Sequence, residues 1–128
     1  MAKDYPTAKG RSASKPFFRW PKEVLHSSQY AALGAHDVKL LNDLGAFYKG
    51  DNNGDLSAAW KLMAKRGWRS KGTLAASIKS LTDTGFLMVT RQGGRNMPTL
   101  FAITFHDIDE CAGKHTIKPQ RAPNTWKN

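Results

Sequence analysis

Residues 57–105 read SAAWKLMAKRGWRSKGTLAASIKSLTDTGFLMVTRQGGRNMPTLFAITF, and this stretch decides the fold. Ser57 is a good N-cap, so a helix is expected over Ala58–Arg66, with Trp60 and Met63 facing inward. Gly67-Trp68-Arg69 makes a tight turn. Ser70 then caps a further helix running to about Thr84, with Leu74, Ile78 and Leu81 as its apolar stripe and Gly85 as its stop. Phe86–Thr90 and Thr99–Phe105 read as strands. In the second, Phe101, Ile103 and Phe105 alternate with Ala102 and Thr104. Residues 91–98, RQGGRNMP, join the two strands as a long hairpin loop. The window from Lys61 to Arg95 carries eight Lys and Arg residues (Lys61, Lys65, Arg66, Arg69, Lys71, Lys79, Arg91, Arg95) against a single acid, Asp83. Most of the chain's net charge of +10 therefore sits here, and such a field favours a polyanionic partner.

Upstream, His36–Tyr48 reads as a first long helix on Leu40, Leu44 and Phe47, with Gly50 as its stop. Asp51-Asn52-Asn53-Gly54-Asp55 is turn chemistry. It looks superficially like a calcium loop, but the required glycine at the sixth position is Leu56 and the glutamate at the twelfth is Leu62. Leu56 adds a short strand. A short helix follows Pro21, anchored by Val24, Leu25, Tyr30 and Leu33. Residues 1–16 are rich in Ala, Lys, Ser, Gly and Pro and read as a flexible basic arm; 17–112 form one folded domain; 113–128 form a basic tail. Trp126 in that tail docks either on its own domain or on a partner. The single cysteine, Cys111, excludes an internal disulfide and suits a reducing compartment. No apolar run approaches the roughly 20 residues of a membrane span. The N-terminal lysines are followed by no apolar core, so they do not read as a secretory signal. A cytoplasmic protein is expected.

The order helix, short strand, helix, helix, strand, loop, strand resembles the winged helix-turn-helix superfamily. The wording of residues 50–56 (GDNNGDL), 65–70 (KRGWRS), Gly85-Phe86 and 91–95 (RQGGR) is similar to small prophage-encoded helix-turn-helix proteins. The resemblance implies an α+β fold: a three-helix core and a C-terminal β-hairpin wing, with an extra N-terminal helical segment and flexible tails. It implies DNA binding as a transcriptional regulator or replication accessory, with helix 70–84 in the major groove and the wing at an adjacent minor groove or backbone. On that reading Lys61, Lys65 and Arg66 hold flanking phosphate, and Arg69 contacts phosphate or the groove entrance. Ser70, Lys71, Thr73, Ala76, Lys79 and Ser80, with Ser77 beside them, form the outward face of the helix. Arg91, Gly93, Gly94, Arg95 and Asn96 carry the wing contact. That face lacks Arg, Asn and Gln, so only modest sequence specificity is expected. Trp68 is either a core plug or a base-stacking platform, and the arginine-flanked glycines either approach a phosphate or simply shape a solvated hairpin tip. Residues 17–33 can serve a homodimer.

No catalytic set is evident, and neither a cofactor nor a metal is expected. His106, Cys111 and His115 are spaced like ligands, but structural zinc normally takes four. Asp107, Asp109 and Glu110 read as a solvated acidic turn without a matched base. Ser70-Lys71-Gly72-Thr73 lacks the order of a phosphate loop. Two other partners remain in view besides duplex DNA. One is RNA. The other belongs to a different class of function: a phage-encoded interaction module that binds and inhibits a host defence or nucleic-acid-handling complex.

Overall fold

The computed structural model describes residues 15–127, so the expected basic arm lies, except for its last two residues, outside them. The described chain is a mixed α+β structure. Two single-turn helices, α1 (Lys22–Leu25) and α2 (Ser28–Ala31), precede the long α3 (Ala35–Phe47). The two-residue strand β1 (Leu56–Ser57) leads to α4 (Trp60–Ala64) and α5 (Lys71–Asp83), followed by β2 (Leu87–Arg91) and β3 (Leu100–Ile103). The strands form one antiparallel sheet in the order β1-β3-β2, with Leu56 opposite Phe101 and Val89 also opposite Phe101 on the other side.

The helices pack their apolar stripes on this sheet. Leu40, Leu41 and Leu44 from α3, Met63 from α4 and Leu74 and Leu81 from α5 meet Leu56, Phe86, Leu87, Phe101 and Ile103 in one core. Phe18 and Trp20 close it at one end, their rings against Phe105 at 6.1 Å and 5.1 Å. The segment 17–33 is thus committed largely to its own domain. Of its expected anchors Val24 is buried and Tyr30 and Leu33 pack on the core, whereas Leu25 points outward.

Three local expectations change. Helix α4 starts at Trp60, not Ala58: pairing of Leu56 and Ser57 with β3 keeps the backbone extended through Ala59, and the Ser57 hydroxyl accepts the Ala59 N–H (3.2 Å) instead of capping a helix. Strand β3 stops at Ile103, not Phe105, because Asn53 occupies the next pairing position. Fully buried, Asn53 accepts the Ile103 N–H (2.8 Å) through Oδ1, and its Nδ2 donates to the carbonyls of Ile103 (2.9 Å) and Asp107 (2.8 Å). The expected turn at 51–55 is therefore a structural clamp as well. The third change is the tail, which is not a flexible appendage. Gln120 pairs with Ile108, Asn124 N–H donates to Thr104 O (2.9 Å), and Trp126 stacks on Phe86 (5.9 Å between centroids, 12° between planes). At Gly85 (φ 88°) the tail crosses so closely that a Cβ would collide with the Thr125 carbonyl, so only glycine suits both the backbone and the packing. Trp126 docks on its own domain.

Candidate nucleic-acid interface

Helix α5 begins where expected. The Ser70 side chain accepts the Thr73 N–H (3.2 Å), and the first turn is thereby capped. Its residues fall into rows set by the helical period. Leu74, Ser77 and Leu81 are buried. Ser80 donates its hydroxyl to the Asp37 carboxylate (2.8 Å) and so faces α3; Ser77 and Ser80 do not belong to the outward face. Thr73 shares that flank and is half-buried. The exposed stripe is Gly72, Ala76, Lys79 and Asp83, and Lys79 pairs with Asp83 (2.9 Å) in full view of solvent. Lys71 is exposed on the opposite flank, in the row that continues through Ile78 and Thr82.

The turn between α4 and α5 is organised by a residue that the sequence reading passed over. Asp43 of α3 is buried and receives the Trp68 indole N–H (2.7 Å), the Arg66 Nε (3.0 Å) and the Lys39 ammonium (3.1 Å). Burial alone would push its carboxyl up, but these three donors hold it below the ordinary aspartate value. Trp68 is accordingly a core plug, not a base platform. Arg66, expected to hold flanking phosphate, is drawn inward: its Nε donates to Asp43 and its guanidinium lies over the Phe47 ring at 5.5 Å, so it is tied to the turn by an ion pair. Lys61, Lys65 and Arg69 are exposed and pair with no carboxylate among the described residues.

The 91–98 loop is an ordered ribbon. Gly94 and Met97 exchange both backbone hydrogen bonds (3.0 Å and 3.1 Å), leaving Arg95 and Asn96 at the tip, with Asn96 at φ 59°. Arg91 folds back and donates to the Pro98 carbonyl (2.9 Å), while its Nε is buried without a partner; it braces the ribbon and is not a free cation. Gly93 is explained by the ribbon itself, since a Cβ there would fall 2.5 Å from the Thr99 amide nitrogen. Gly93 needs no ligand to account for it. Gly94, Arg95 and Asn96 remain open to solvent. Of the eight cations in the window, then, five are exposed and unpaired among the described residues: Lys61, Lys65, Arg69, Lys71 and Arg95.

Two concavities flank α5. One, of about 410 Å³, lies between α5 and the base of the ribbon and is walled by Ala58, Ile78, Thr82, Val89, Pro98 and Phe101. It shows that ribbon and helix border a common groove. The other, of about 340 Å³, lies over Trp68 and is lined by His36, Lys39, Arg69, Ser70 and Thr73. Neither was legible in the sequence, because each is formed by segments far apart along the chain.

The residues weighed as metal ligands have other tasks. His106 Nε2 is 2.9 Å from the Arg19 carbonyl, and burial lowers its basicity. His115 Nε2 is 2.8 Å from the Asp109 carbonyl, and its Nδ1 accepts the Ile117 N–H. Burial, followed by the nearby Asp55 and Asp109, pushes the Cys111 thiol up, away from the reactive thiolate. Among the described residues no group of three or more His, Cys, Asp or Glu side chains is arranged to hold a metal ion. Likewise no described helix is long and apolar enough to cross a membrane. Comparison of the chain with protein-family models, with curated proteins and with solved structures finds no match.

Proposed function

We propose that this is a winged helix-turn-helix DNA-binding protein of phage or plasmid type, acting in the bacterial cytoplasm as a transcriptional regulator or replication accessory. In that reading α3, α4 and α5 are the helical core, α5 enters the major groove and the β2–β3 ribbon is the wing. The observation that carries it is the grouping of the free cations. Lys61, Lys65, Arg69 and Lys71 follow one another along α4, the turn and the start of α5, with Arg69 lining the concavity over Trp68, and Arg95 tips the ribbon that borders the groove on the other flank of α5. The order β1-β3-β2, with α4 and α5 inserted between β1 and β2, supports it. The outward stripe of Gly72, Ala76 and the paired Lys79–Asp83 permits close approach but offers little bidentate base readout, so affinity is mostly electrostatic.

Fluorescence anisotropy with random duplex, single-stranded DNA and RNA tests this. Neutralising five phosphates gives a slope of log K against log salt near −4.5 for duplex. Charge reversal at Arg95 or Lys71 weakens binding and flattens that slope by about one phosphate's share each. Unchanged affinity in both variants refutes the geometry, and preference for RNA over duplex replaces DNA as the target. The poverty of base-reading groups on α5 favours a second reading, a module that blocks a host complex. A nuclease-treated lysate that still yields a stoichiometric protein partner supports that module, and loss of all partners supports nucleic acid.

A further inference from the structure

The concavity over Trp68 is lined by charge of one sign. It encloses about 340 Å³ and is walled by His36 and Lys39 from α3, Arg69 from the turn and Ser70 and Thr73 from α5; no acid lines it. The two acids of α3 are committed elsewhere. Asp37 accepts the Ser80 hydroxyl (2.8 Å), and Asp43, at the indole N–H of Trp68, is answered by both Lys39 and Arg66. Arg69 is exposed and pairs with no carboxylate among the described residues. Lys39 keeps a donor in reserve: of the three N–H groups of its ammonium, the Asp43 carboxylate (3.1 Å) and the Arg66 carbonyl (2.7 Å) take two. The Ser70 oxygen accepts the Thr73 N–H, so the first turn of α5 is already capped and its hydroxyl proton is still to be donated. The free donors are thus side chains from three separate segments, not the helix end.

His36 completes the set. Its ring lies 5.6 Å from that of Trp68, with 42° between the planes, and the Lys39 ammonium is 5.8 Å from the same indole. His36 is exposed, and the fold gives it no other task. Histidine is the side chain that gains a proton between pH 5 and 8; both its ring nitrogens are then donors, and an indole beside it favours the cation. The charged groups around His36 are Lys39 on its own helix and Arg69 on the turn, with the neighbouring Asp37 turned to Ser80; α5 faces it with the uncharged Ser70 and Thr73. Such a lining suits a single oxyanion.

The place of the pocket on the fold indicates which oxyanion. It lies on the Thr73 flank of α5, the ribbon tipped by Arg95 lies on the Ile78 and Thr82 flank, and the exposed stripe of Gly72, Ala76 and Lys79 runs between them. A helix with its side chains is roughly 10–12 Å across and the major groove of duplex DNA about 12 Å wide, so a helix lying in it has the phosphates of one strand along each flank. We infer that the concavity over Trp68 seats one backbone phosphate of duplex DNA, on the strand opposite the one that the ribbon contacts, held by Arg69, Lys39 and a protonated His36. The inference rests on the nucleic-acid reading above. It adds to that reading a contact from α3 and a dependence on pH: a phosphodiester does not titrate between pH 5 and 8, so the proton is taken up by the protein.

Fluorescence anisotropy of the full chain with a random duplex, at pH 6 and pH 8, tests it. The wild type binds about tenfold tighter at pH 6, the worth of one charge-assisted hydrogen bond. His36→Phe keeps a ring against Trp68 but takes no proton; it matches the wild type at pH 8 and loses the gain at pH 6. Arg69→Gln weakens binding at both pH values and flattens the slope of log K against log salt by about 0.9. Lys71→Gln, on the other flank, weakens binding but keeps the pH response. All three side chains are exposed, and unchanged circular dichroism checks that the variants fold. A wild type whose affinity ignores pH overturns the inference. So does a pH response that persists in His36→Phe, as titration of the exposed His26 would produce. Duplex binding that depends on Lys71 and Arg95 but not on His36 and Arg69 overturns the pocket alone and leaves the DNA reading standing. A chain that binds no duplex at either pH overturns both.

Discussion

Asp43→Asn is the substitution that most directly tests how the α4–α5 turn is held. The carboxylate accepts from three donors, at 2.7 Å from Trp68, 3.0 Å from Arg66 and 3.1 Å from Lys39. Asparagine preserves the volume but has one acceptor oxygen, so its amide group confronts either the indole or the guanidinium with a second donor. The Arg66 and Lys39 side chains are 38 % and 39 % exposed and regain water, so each lost ion pair costs only about 0.5 kcal/mol after screening. The Trp68 N–H is buried and has no water to turn to; a donor left facing a donor there costs about 1–3 kcal/mol. The total is about 2–4 kcal/mol, read as a lowered urea midpoint with an unchanged m-value. The pH dependence has a definite sign. Because the folded carboxyl lies below its ordinary value, its stabilisation is complete above the unfolded value near 4 and is lost as pH falls through the folded one. The gap between wild type and variant is therefore constant at neutral pH and closes in acid. A gap under about 0.5 kcal/mol at pH 7, or one that persists undiminished into acid, refutes this account of the turn.

Other outcomes follow from the same structure. Asn53→Ala strips the Ile103 N–H and two carbonyls of their buried partner and lowers stability by about 3 kcal/mol in chemical denaturation, with loss of amide-exchange protection at Ile103. Trp126→Ala empties the stack on Phe86 and costs about 3–5 kcal/mol, measured as a fall in melting temperature; a tail that merely hung from the domain would leave the melt unchanged. Ser70→Ala removes the α5 cap and costs about 1 kcal/mol, with amide exchange rising in the first turn around Thr73 and not in the last.

Within the candidate interface, the exposed residues Lys61, Lys65, Arg69, Lys71 and Arg95 were recoverable by reading charge against helix and loop positions. Arg66, Lys79, Ser80 and Arg91 were not, and the reason is common to all four. Each is polar and lies beside free cations or on the same helix, yet its partner is a group whose proximity only folding or rotamer choice creates: Asp43, Asp83, Asp37 and the Pro98 carbonyl. The Lys79–Asp83 pair alone sat at a spacing, four residues along one helix, that could have announced it.

What the chain determines by itself is local. The cap at Ser70, the stop at Gly85 and the apolar period of α3 and α5 depend on neighbours within about one helical turn, and they stand where the residue types require. Tertiary structure decides which polar groups remain free. Asp43 and Asn53 look like ordinary surface residues until segments more than twenty positions away converge on them, and Trp126 has no evident destination until Phe86 is in place. The need of buried Asp43 for partners takes Arg66 out of the set of free cations, and the fit of Trp126 to Phe86 makes the tail part of the core; neither is written in the residues beside them.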